Sequence, residues 1–76
     1  MIIKIKNLLL EEARKQFPQA NSSSVAIEGS QIYFEIDNIV WRRYGFCLAS
    51  NGLAILNDAH YLRDFVKNTF KHKPLI

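Results

Sequence analysis

The chain contains one cysteine, Cys47, in 76 residues. That excludes an internal disulfide and any zinc site built on several cysteines, and it fits folding in a reducing compartment. Glycine is nearly as scarce. Gly29, Gly45 and Gly52 are too few and too scattered to form a glycine-rich phosphate loop. No apolar run approaches the ~20 residues that cross a bilayer, and "MIIKIKNLLL" lacks the long apolar stretch and small-residue cleavage site of a signal peptide. A cytoplasmic location without membrane attachment is the expectation. The two histidines, His60 and His72, fall at opposite ends of one predicted helix, so no metal site, cofactor or small-molecule substrate is expected.

What is present is enough for a core. Hydrophobic residues make up 49% of the chain, with five Phe, three Tyr and one Trp, against 22% charged residues. The sequence reads as one small domain over residues 1–76. At this length only about 60% of the unfolded surface becomes buried, so that core must be simple.

Ile2, Ile5, Leu9, Ala13 and Phe17 recur at spacings of three and four, which predicts an amphipathic helix ending near Phe17, just before Pro18. "MIIKIK" also alternates and fits a short strand instead, with Asn7 as the N-cap of a helix that starts after it. Glu11 and Glu12 fall on the helix exterior. "QANSSS" is a polar connector, and from Ser24 the period becomes two. Two-residue loops at Gly29-Ser30 and Asp37-Asn38 pair Val25 with Phe34, Ile27 with Ile32, Phe34 with Trp41 and Ile36 with Ile39, all apolar and on one face. Asn51-Gly52 is a strong hairpin signal and predicts a fourth strand. Asn57 or Asp58 then caps a last helix over "AHYLRDFVKNTF", stopped by Pro74. The fold class expected is α+β, in the order α-β-β-β-β-α. Its four-stranded antiparallel meander would have two helices on one face. The expected core is Leu9, Phe17, Val25, Ile27, Phe34, Trp41, Leu62, Phe65 and Phe70.

One stretch breaks the pattern. In "VWRRYGFC" the apolar phase slips between Trp41 and Phe46, and an unbroken strand would bury Arg43 opposite Ile32. A β-bulge at Arg43, Tyr44 or Gly45 resolves both problems, with Gly45 free to adopt positive φ. Arg43 then needs an acidic or carbonyl partner. The face opposite the helices would carry Ala26, Glu28, Tyr33, Glu35, Val40, Arg42, Cys47, Ala49, Ala54 and Leu56.

Charge is uneven: residues 1–38 balance at −1 and residues 39–76 at +4. No catalytic constellation is present, so an enzyme is not expected. Cys47 reads as a small apolar strand residue. Two functions remain. The first is a small non-enzymatic protein-interaction module of accessory, inhibitor or adaptor type, bound to a protein partner or to a second copy as a homodimer, with Tyr33, Arg42, Arg43 and Tyr44 as its interface. Tyr and Arg are the residues most enriched at binding hot spots. The alternative is a basic nucleic-acid-binding module using Arg42, Arg43, Arg63, Lys67, Lys71 and Lys73.

Overall fold

Ile5, Leu9 and Ala13 form a stripe along the first helix and are fully buried, which sets that helix against the sheet. The computed structural model describes residues 1–75. It places α1 at Ile2–Gln16, β1 at Ser23–Glu28, β2 at Gln31–Ile36 and β3 at Ile39–Arg43. A π-helical turn at Leu48–Gly52 runs directly into α2 at Leu53–Asn57, and α3 follows at Ala59–Lys71. Residues 2–6 are therefore helix rather than strand. Phe17 closes α1 through its backbone N–H to the Ala13 carbonyl oxygen, next to Pro18.

The sheet is an antiparallel meander in the order β1-β2-β3, and the fold is α+β. Its register is the one predicted by the loops: Val25 opposite Phe34, Ile27 opposite Ile32, Phe34 opposite Trp41 and Ile36 opposite Ile39. Asp37 and Asn38 hold φ of 48° and 71°, the left-handed pair that a tight hairpin demands and that Asn and Asp tolerate. Asp37 also anchors the connector, because its Oδ1 accepts from the backbone N–H of Asn21 and of Ser22, each at 2.9 Å.

The core lies between the sheet and the helices and is built from Ile5, Leu9, Val25, Ile32, Phe34, Trp41, Phe46, Ile55, Phe65 and Val66, among others. Phe17, Ile27 and Phe70 are half-buried and pack against it. Phe70 sits within 4.7–5.3 Å of the Phe17, Trp41 and Phe34 ring centroids, each at a steep interplanar angle. Such edge-to-face contacts add to what area burial alone contributes. Glu12 is buried rather than exterior. It adjoins the Leu9–Ala13 stripe where α1 faces α3, and Gln16 Nε2 bridges the two helices by donating to Glu12 Oε2 at 3.1 Å and to the Arg63 carbonyl oxygen at 3.2 Å.

The fourth strand is not formed. Residues 48–57 are helical, and Gly52 has a helical φ of −62°. Its role is close approach: a Cβ there would lie 2.9 Å from Ile5 Cδ1 and 3.1 Å from Leu48 Cδ1. Asn51 serves the turn as well. Its Oδ1 accepts from the Cys47 backbone N–H at 2.7 Å, and its Nδ2 donates to the Tyr61 hydroxyl at 2.9 Å. Asp58 ends the run and caps α3, accepting from the backbone N–H of His60 and of Tyr61 at 3.0 and 3.1 Å.

The irregularity predicted near Gly45 follows the last paired residue of β3. β3 pairs regularly to Arg43, opposite Ile32, and then leaves the sheet. Gly45 turns the chain at φ +73°, and the Phe46 N–H donates to the Ser30 carbonyl oxygen at 2.9 Å, which delivers Phe46 to the core. The slip in hydrophobic phase is this departure from the sheet. No helix among the described residues is long and apolar enough to cross a membrane.

Candidate functional site

The end of β3 gathers most of the residues singled out in the sequence. Arg42 lies on the outer sheet face, opposite Tyr33 in the register, and its guanidinium carbon sits 4.4 Å from the centroid of the Tyr44 ring. Tyr44 is 59% exposed. Tyr33 is half-buried and donates its hydroxyl proton to Gln31 Oε1 at 2.9 Å. Arg43 points the other way, toward α3. Its guanidinium stacks 4.0 Å from the Phe65 ring centroid, while Nη1 donates to the Phe65 carbonyl oxygen at 2.8 Å and to Thr69 Oγ1 at 3.1 Å. Thr69 is held for this task, donating its own hydroxyl proton to the Phe65 carbonyl oxygen at 2.9 Å. A half-buried guanidinium on the core side is thereby satisfied by a carbonyl and an aromatic face, as the burial penalty requires.

The two arginines diverge to opposite faces, yet both line one hollow of about 380 Å³, together with Tyr44 and His72. Among the described residues no Asp or Glu lines it. Among the described residues the one ion pair is Arg63 with Asp64, at 3.5 Å on the exposed surface of α3, so no described carboxylate pairs with Arg42 or Arg43. Arg42 Nε is buried without a hydrogen-bond partner among the described residues. Stacking fixes both side chains before any ligand arrives, which lowers the entropy lost on binding.

The outer sheet face carries Ala26, Tyr33, Val40 and Arg42, all half-buried, with Glu28 and Glu35 exposed. Ala49, Ala54 and Leu56 do not belong to it, because their segment is helical, and Cys47 lies beyond the end of β3 at the entry to the π-helical turn. Leu75 donates its N–H to the Val40 carbonyl oxygen at 2.6 Å, so the chain's last described residue lies against β3. Arg63, Lys67 and Lys71 follow each other at four-residue spacing along α3, all exposed, and lead to His72 and Lys73. His72 is the site residue that the sequence reading missed. Its place depends on where α3 ends relative to β3, which no local pattern encodes.

Cys47 is exposed at the entry to the π-helical turn. The Ser50 hydroxyl, followed by the backbone N–H groups of Ser50 and Ala49, holds its thiol below the ordinary value. His60 lies in the first turn of α3, away from the hollow. No group of three His, Cys, Asp or Glu among the described residues is arranged to hold a metal ion. Set against known proteins, the chain matches no protein family, no curated protein and no solved structure.

Proposed function

We propose that this chain is a small non-enzymatic protein-interaction module, an accessory, inhibitor or adaptor, whose protein partner docks on the outer sheet face through Tyr33, Arg42 and Tyr44 and reaches past the end of β3 to Arg43. The observation that carries this reading is the Arg42–Tyr44 stack: an uncompensated guanidinium held against an exposed ring, beside half-buried Tyr33 and Val40. Aromatic and arginine anchors set in a partly apolar patch are the composition of a binding hot spot. Glu28 and Glu35 share that face and oppose a polyanion, which favours a protein over a nucleic acid there.

A second reading, binding of nucleic acid, draws on the exposed Arg63–Lys67–Lys71 stripe and on Lys73 beyond it. The two separate on salt. Partner capture from the native host, with and without nuclease, followed by binding of variants at 50 and 200 mM salt, is the measurement. Tyr33→Ala and Arg42→Ala are each expected to cost more than ~1 kcal/mol of partner affinity, with Lys67→Ala and Lys71→Ala costing little. If instead oligonucleotides bind tightly, lose roughly a hundredfold in affinity over that salt range, and depend on the lysines, the nucleic-acid reading stands in its place.

A further inference from the structure

We infer that the hollow at the end of β3 is a carboxylate anchor: one Asp or Glu side chain of the protein partner enters it and is held by Arg42 and Arg43, with His72 in the same lining. The inference rests on the protein-interaction reading and names what the partner brings to it.

Charge is the first argument. Among the described residues the lining holds two guanidinium groups and no Asp or Glu, and no described acidic group pairs with either arginine. A cationic hollow of this kind is complemented by an oxyanion. Geometry is the second. Arg43 commits only Nη1, to the Phe65 carbonyl oxygen and Thr69 Oγ1, and keeps its remaining donors. The Phe65 ring supports its plane, and the Tyr44 ring supports that of Arg42. Planar guanidinium groups already fixed on aromatic faces suit the fork geometry of a carboxylate.

The surroundings select among oxyanions. Glu35 stands on the same sheet face as Arg42 and opposes a chain of phosphates more than it opposes one carboxylate. Tyr33, Val40 and Tyr44 offer apolar surface on the approach, which suits a side chain flanked by apolar neighbours. A single acidic residue in an otherwise apolar segment satisfies both conditions.

The test uses the full chain and three probes: a capped Leu-Glu-Leu tripeptide, its neutral counterpart Leu-Gln-Leu, and a mixed-sequence single-stranded oligonucleotide. The arginine Nε–H signals are followed by NMR. The Glu peptide is expected to shift the Arg42 and Arg43 signals and to bind roughly tenfold more tightly than the Gln peptide, the scale of a charge-assisted hydrogen bond. Arg42→Gln should abolish that preference. Arg42→Lys, which keeps the charge and loses the fork, should restore less than half of it, and His72→Gln should reduce it while the fold stays intact. Lys67→Gln should leave it unchanged.

Equal binding of the Glu and Gln peptides overturns the inference. So does an equal loss with Lys67→Gln, which would mean diffuse attraction, and so does saturation of the arginine signals by the oligonucleotide at lower concentration than by the peptide. The two readings fail separately. If the arginine signals ignore the Glu peptide while Tyr33→Ala still weakens the captured partner, the face remains a docking surface and the hollow is not its anchor. If the peptide binds in the hollow but Tyr33→Ala leaves the partner unaffected, the anchor stands and the face does not.

Discussion

Residues 23–43 and residues 44–58 carry turn signals of similar strength, and only the first segment folds as those signals say. In the meander, every proposed loop also had to align two alternating apolar runs on one face, and the observed register satisfies that demand at each pair. The pairing implied by Asn51-Gly52 instead put apolar residues on both faces, Leu48 with Ile55 on one and Ala49 with Ala54 on the other, and left Phe46 opposite Asn57, so it fixed no single buried face. Around Asn51-Gly52, "LASNGLAIL" is rich in leucine and alanine, which favour helix, and its apolar residues meet helical spacing as readily as alternation. The structure chooses the helix, with Ile55 buried and Leu53 exposed. A turn dipeptide is informative when long-range pairing also requires the turn, and weak when it stands alone.

The two glycines of the second segment sharpen the contrast, because each is needed for a different reason. Gly45 sits at φ +73° with open space around its Cα, so only backbone strain opposes a side chain there. Gly45→Val should cost about 1–2 kcal/mol, read from the shift in urea midpoint; an unchanged midpoint would remove the left-handed turn from the account. Gly52 is the reverse case, with helical φ and no room. Gly52→Ala should cost about 1 kcal/mol in the wild-type background, because the new Cβ presses on Ile5 Cδ1 inside a closed core. In Ile5→Val, which lacks that methyl, the same change should become neutral or stabilising as alanine's better helix propensity takes over. A hairpin turn at Asn51-Gly52 would instead penalise alanine equally in both backgrounds.

The smallest effect tests the same segment through Cys47. Its thiol is held below the ordinary value chiefly by the Ser50 hydroxyl, so the thiolate forms at lower pH than in a free cysteine. Alkylation by iodoacetamide, followed against pH, should therefore have a midpoint below that of a model thiol, and Ser50→Ala should move it upward. If Ser50→Ala leaves the midpoint in place, the π-helical turn does not bring these groups together.

Much of the fold was legible because its signals were redundant. The first helix, both hairpins, the cap at Asp58 and most of the core follow from periodicity and turn chemistry. The site was legible only in part. Two adjacent arginines in an apolar strand marked the place and required an acidic or carbonyl partner for Arg43; the Phe65 carbonyl oxygen supplies it, with the Thr69 hydroxyl beside it. The expected break falls just after Arg43, where the ladder stops, Gly45 turns at positive φ and the Phe46 N–H meets Ser30 one residue out of the β2–β3 register. His72 and the shared hollow arise from how β3 and α3 end beside each other, a relation of distant segments that no local spacing records.

The contact of Leu75 with Val40 gives the sheet a direction of growth. β3 is one margin of the sheet, and the chain's own C-terminal segment already lies against it, while β1 forms the other margin and pairs only with β2. A sheet open at both margins can recruit further strands without limit, which is the geometry of fibres. One whose far side is strapped by its own chain has a single place to add a strand. Two such molecules that met edge to edge would use up both open margins and stop at a pair.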